Sequence, residues 1–131
     1  MVFEQVEHLL VVCHGKKNPS EPEWQRFVSH VKSQQPRFDK LRTIIWTLGG
    51  GPTPTQRKAL NAAMEGRPTR GAVVSAHPGI RFVVSALALM NRDLKTFAPD
   101  EIPDALLYLG LTGETRRYVL MTLERLRNQV A

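Results

Sequence analysis

Cysteine is all but absent from this 131-residue chain, with Cys13 standing alone. One thiol excludes an internal disulfide framework and a multi-cysteine zinc site. Long apolar runs are absent too. A membrane-spanning helix needs roughly 20 apolar residues; the longest run here, around Ile80 to Met90, is shorter and carries Arg81. The opening Met1-Val2-Phe3-Glu4-Gln5 has neither the basic start nor the small-residue cleavage site of a secretory signal. Aromatic residues make up only 7% of the chain and do not interleave with the basic ones as a base-stacking face requires. The expectation is a cytoplasmic protein without a membrane span or a nucleic-acid partner.

What is present fits one packed domain over residues 1–131. Hydrophobic residues are 42% and charged residues 23%, a balance that supports a core and argues against disorder. The net charge is +6 and the pI about 10.0. The basic residues form no continuous run, so they read as a solvated surface rather than a polyanion footprint.

Apolar periodicity orders the elements. Val6 to Cys13 reads as a buried strand, with Met1 to Gln5 as a short edge strand before it. Ser20-Glu21-Pro22-Glu23 is a capping box. Trp24, Phe27, Val28 and Val31 follow at helical spacing, so a helix runs from about Ser20 to Gln34 with those residues facing the core. Leu41 to Leu48 is the next strand and Thr53 to Glu65 the next helix. Gly71 to Ala76 is a strand, broken by His77-Pro78-Gly79, which leads into a helix reaching Asn91. Leu94 to Phe97 is a further strand. A helix starts at Pro99 and reaches Leu109-Gly110, and Thr112 to Val130 is the last helix. The alternation predicts an α/β fold with a mostly parallel sheet and flanking helices. The Ile80–Met90 helix is apolar on nearly every side, and the last helix carries Val119, Leu123, Leu126 and Val130. Either they cover one another and the sheet, or they form a homodimer seam.

In an open α/β sheet, ligands sit at the carboxyl ends of the strands. Those ends hold His14, Lys16 and Lys17 in the first loop and Ser75, His77 and Arg81 around the third. Between them lies Gly49-Gly50-Gly51-Pro52-Thr53-Pro54-Thr55, followed by Arg57 and Lys58. A glycine turn feeding a helix N-terminus can aim backbone N–H groups and a positive dipole end at an anion or a regulated contact. Three glycines exceed what a simple turn needs, and Gly50 or Gly51 is expected at positive φ. The turn is not a nucleotide fingerprint. Pro52-Thr53 stands where a P-loop needs Lys and Ser or Thr, and Pro54 stands where a dinucleotide loop needs glycine. Thr53, Pro54 and Gln56 form an ordinary helix start.

Neighbouring strand residues point to opposite faces, so Cys13 and His14 cannot pair as nucleophile and base. Cys13 with His77 on a neighbouring strand is the enzymatic alternative, against a plain buried thiol. Ser75 lacks the flanking glycines of a nucleophile elbow. No His, Cys or carboxylate spacing suggests a metal, and no cofactor is expected.

The order of elements resembles the STAS-like fold of the anti-sigma-factor antagonists. So do the strand-glycine-helix turn after Trp46 and the ending Leu94-Lys95-Thr96-Phe97-Ala98-Pro99, then Ala105-Leu106-Leu107-Tyr108-Leu109-Gly110. The resemblance covers about residues 1–110, with the helix at about 112–130 as an addition. In the antagonists a phosphorylatable Ser or Thr opens the helix after a central strand, and Thr53 or Thr55 occupies the comparable place. The resemblance implies a non-catalytic regulatory or protein-interaction module with a protein partner. A small anion- or nucleotide-binding domain using Gly49 to Thr55 is the alternative.

Overall fold

The structure, a computed structural model, describes residues 1–88 and 93–130; for residues 36, 82 and 85–88 it describes the backbone alone. The chain opens with an edge strand and a buried strand, as expected, but Val6 belongs to the first and a turn separates the two. β1 (Val2–Val6) and β2 (Leu9–His14) form an antiparallel hairpin in which Val6 pairs with Leu9. Glu7 and His8 make the turn, and Glu7 takes φ 53°, a left-handed conformation few non-glycine residues adopt. The expected strand Val6–Cys13 is corrected accordingly. Val6 closes the edge strand, and His14 is the last residue of β2.

The remaining elements follow the expected order. They are α1 (Glu21–Ser33), β3 (Arg42–Thr47), α2 (Pro54–Ala63), β4 (Arg70–Val74), α3 (Pro78–Ala88), β5 (Leu94–Phe97), α4 (Ile102–Tyr108) and α5 (Gly113–Val130). The last part of the expected third helix, with Leu89, Met90 and Asn91, lies outside the described residues. α4 starts later than expected, because Pro99–Glu101 forms a separate 3-10 turn. Among the described residues no helix is long and apolar enough to cross a membrane.

The strands lie in the order β1-β2-β3-β4-β5. β1 is antiparallel to β2, and β2 to β5 are parallel, so the sheet is mixed. β2 is buried along its whole length, which its unbroken apolar sequence anticipates for a strand covered on both faces. Leu9, Val11 and Cys13 join Ile44, Trp46, Ala72 and Val74 under α4 and α5. Leu10 and Val12 face the other way, into a cluster with Trp24, Phe27 and Val31 of α1, the partly buried Leu60 of α2 and Met64, which caps that helix. Sequential parallel strands joined by right-handed crossovers place successive helices on one face, and α1 and α2 obey that rule. The C-terminal helices close the opposite face.

Trp24, Phe27 and Val31 are buried, as the helical spacing predicts. On α5 the buried stripe is Val119, Thr122, Leu123 and Leu126, docked on its own sheet against β1 and β2. Tyr118 and Met121 point outward from the same helix and are exposed.

Candidate functional site

The carboxyl ends of β2, β3 and β4 carry three loops that are tied to one another. The β3 loop leans on the β2 loop. The N–H of Leu48 donates to the His14 carbonyl at 3.2 Å, and that of Gly50 to the Gly15 carbonyl at 2.9 Å. Gly51 N–H reaches Asn18 Oδ1 at 3.3 Å. The β4 loop is tied through Ser75, whose hydroxyl donates to the Thr47 carbonyl at 2.9 Å and accepts from the His77 N–H at 3.1 Å. Thr47, buried at the end of β3, folds the glycine turn on itself. Its Oγ1 accepts from Gly49 N–H at 3.0 Å and donates to the Gly50 carbonyl at 2.5 Å.

Each glycine in the turn has a different status. Gly49 holds the positive φ, 130°, which corrects the expectation that Gly50 or Gly51 would do so. His77 covers Gly49, with Cδ2 3.1 Å from where a Cβ would stand. Gly50 is fixed by close approach: a Cβ there would lie 2.0 Å from the Lys17 carbonyl oxygen and 2.7 Å from that of Gly15. Gly51 has open space around it. Two glycines therefore answer to backbone geometry and packing, which accounts for most of the run without a ligand.

The helix start is closed in the same way. Thr53 Oγ1 accepts from Gln56 N–H at 3.2 Å, and Gln56 Oε1 accepts from Thr53 N–H at 2.9 Å. The N–H groups of Gly49, Gly50, Gly51 and Thr53 thus each have a partner, and the anion cradle expected from the glycine turn is occupied by the protein's own oxygens. Gln56 also reaches across to the first loop, donating to the Pro19 carbonyl at 3.1 Å and to Glu21 Oε1 at 2.9 Å. Its own carbonyl accepts from Trp24 Nε1 at 2.9 Å. The importance of Asn18, Thr47 and Gln56 escapes a reading of local sequence. Only Gln56 carried a signal, the capping box, and that signal concerns its own helix.

The charged and hydroxyl candidates divide by exposure. Lys16, Lys17, Thr55, Lys58, His77 and Arg81 are exposed on this edge, whereas His14 and Ser75 are buried. Arg57 is half-buried and donates from Nη1 to the Pro52 carbonyl at 3.1 Å. His77 accepts the Gly79 N–H on Nδ1 at 3.2 Å.

Cys13 and His14 point to opposite faces, as strand geometry requires. Cys13 lies in the core under α5, and burial pushes its thiol up to about 12, against the opposing pull of Arg127. A thiol so protonated is a poor nucleophile, and His77 is exposed at the end of β4 rather than beside it. His14 lies on the α1–α2 face. Burial, then the α-amino group of Met1, pulls its imidazole down to about 4, with Glu23 opposing, so the ring is neutral near pH 7.

Comparison with known proteins yields no match: no family model, no curated protein and no solved structure corresponds to the chain.

Proposed function

We propose that the chain is a non-catalytic, STAS-like regulatory or protein-interaction module that acts in the cytoplasm and meets its partner with the carboxyl edge of the sheet. The observation that carries this reading is the cross-tied loop layer itself. Its three loops are held by mutual hydrogen bonds, and a surface ordered before contact loses little entropy on binding. Exposed on that layer are Lys16, Lys17, Lys58 and Arg81, a cationic rim suited to an acidic protein surface. Of the two threonines, Thr55 is the exposed one, while the Thr53 hydroxyl caps α2. A phosphoryl group on Thr55 would sit in the first turn of α2, where the helix dipole favours negative charge. It would also offset about half of the positive charge of the rim. The alternative, a small anion- or nucleotide-binding domain on the glycine turn, draws less support from the geometry because the N–H groups of that turn are engaged internally.

The test is affinity capture from the source cells, with the parent chain beside a Lys16→Glu, Lys17→Glu, Lys58→Glu variant of equal melting temperature. A specific protein retained by the parent, lost by the variant and weakened by salt supports the reading. Identical captured sets from the two chains overturn it.

A further inference from the structure

An edge strand presents a row of backbone N–H and C=O groups that the sheet itself does not pair. β1 is such an edge: among the described strands it pairs with β2 alone. Proteins usually blunt a free edge with lysine, proline, a bulge or a very short strand. β5, the opposite edge, has four residues and carries Lys95. β1 has none of these devices. Val2-Phe3-Glu4-Gln5-Val6 holds neither lysine nor proline, and its first four residues are half-buried. Its register with β2 runs unbroken from Val2 opposite Cys13 to Val6 opposite Leu9. Its one charged residue, Glu4, is answered within the chain by Arg125 Nη2 at 2.6 Å.

α5 supplies an independent observation. Its buried stripe faces its own sheet, but Tyr118 and Met121 are 60% and 64% exposed. With Glu114 and Arg125 they recur at spacings of four, three and four, which places all four on one face of the helix. That face borders the β1 edge, since Arg125 belongs to it and reaches Glu4. Thr115, beside Glu114, donates from Oγ1 to Glu7 Oε2 at 3.4 Å. The two contacts also fix a direction. From Thr115 to Arg125, α5 passes from Glu7 back to Glu4, so it runs antiparallel to β1.

A second copy answers both features with one two-fold axis. β1 paired antiparallel with the partner's β1 continues the sheet across the axis and satisfies the free edge. An axis perpendicular to the sheet keeps both α5 helices on the same face and sets them antiparallel. α5 rests over β1 and β2, so the two helices stand roughly two strand spacings apart, about 10 Å, the distance of packed helices. In that alignment Tyr118 against the partner's Met121, a favourable sulfur–aromatic contact, brings Glu114 against the partner's Arg125. A face with an acid at one end, a base at the other and apolar residues between is self-complementary when antiparallel, as an isologous interface requires.

We propose that the chain forms a two-fold homodimer in which the two β1 strands pair antiparallel and the Tyr118–Met121 faces of the two α5 helices pack across the axis. The seam uses the outward face of α5, not the Val119–Leu126 stripe that its own sheet covers. The loop layer at the carboxyl ends of β2 to β4 takes no part in it, so the dimer stands or falls independently of the interaction-module reading.

Sedimentation equilibrium of the full chain from low to high micromolar concentration should give twice the chain mass of 14.8 kDa. A Tyr118→Glu, Met121→Glu chain changes two exposed positions and should keep the parent's far-UV spectrum. It should associate about tenfold more weakly or worse, as happens when central interface residues are lost. Glu114→Lys, which sets two cations against each other across the seam, should weaken association in the same direction and serves if the double variant does not fold. Hydrogen exchange locates the seam: β1 amides that point away from β2 should be protected in the concentrated parent and exchange freely in the dilute chain. A parent that stays at the single-chain mass at high micromolar concentration overturns the proposal. So does a folded variant that dimerises as the parent does, or a dimer whose β1 amides exchange as fast as those of the dilute chain.

Discussion

The Gly50 N–H donates to the Gly15 carbonyl oxygen at 2.9 Å, and the carbonyl of Lys17 occupies the place where a Gly50 side chain would begin. Two loops thirty-odd residues apart in sequence are therefore pressed backbone to backbone. Gly50→Ala must displace one of them. An overpacked site costs about 1–3 kcal/mol, more where backbone must move, and Gly50→Ala should fall at the upper end of that range. Gly51→Ala, with open space and no positive φ, should stay within about 0.5 kcal/mol of the parent, as surface changes do. Urea unfolding of both variants checks the contrast. Equal stability of the two would show that the loops are not in contact.

Trp24 anchors α1 to the sheet and reaches α2 through its indole N–H on the Gln56 carbonyl. Trp24→Ala should cost about 3–5 kcal/mol, the usual range for truncating a large core aromatic. Gln56→Ala removes a cap and leaves the buried Pro19 carbonyl short of a donor, so a loss of about 1–3 kcal/mol is expected. Denaturation midpoints check both, and in Trp24→Ala the emission maximum of the remaining Trp46 reports whether the opposite core is intact. A Trp24→Ala chain as stable as the parent would contradict the packing described.

Cys13 should be silent in the folded protein. It is 0% exposed and its thiol is pushed up to about 12, so thiolate is scarce at pH 8 and reagent has no access. A disulfide reagent such as Ellman's should register no thiol in buffer and one thiol in denaturant. Fast labelling of the native chain would reopen the enzymatic alternative that pairs Cys13 with His77.

The helices were legible where the sequence carries local signals. Ser20 with Glu23, and Thr53 with Gln56, form their reciprocal caps in the structure. The spacing of Trp24, Phe27 and Val31 marks the buried stripe for the same reason, since helical periodicity is fixed by neighbours in sequence. The β1–β2 turn was hidden. Val6 to Cys13 is interrupted only by Glu7 and His8, without a glycine or asparagine to mark the reversal, and Glu7 takes the left-handed conformation itself. The glycine turn was visible as a turn but not in its internal roles. Gly49, Gly50 and Gly51 are indistinguishable in sequence, and what separates them is His77 over one and Lys17 against another. The meeting of α5 with β1 depends on how the whole sheet is covered, which no local pattern encodes.

The buried imidazole of His14 gives the fold an acid sensitivity with a defined window. Its folded value is about 4, whereas an imidazole in an unfolded chain titrates near 6.5, roughly. Because the folded value is the lower one, the unfolded chain binds more protons between those limits. Stability from this group is complete above about pH 6.5 and declines as pH falls toward 4. The difference of about 2.5 units corresponds to roughly 3 kcal/mol. Glu23 acts in another window. Hydrogen bonding from Ser20 holds its carboxylate down to about 2, so its contribution is present above the usual carboxylate range and is lost as pH falls from that range toward about 2. Urea titrations at steps between about pH 7 and 4.5 should therefore show the parent losing stability steadily. A His14→Gln chain, which cannot titrate there, should show a much flatter profile over the same interval and rejoin the parent's downward course only in the carboxylate range. An unchanged acid slope in His14→Gln would mean that this imidazole is solvated in the folded protein, contrary to the burial described.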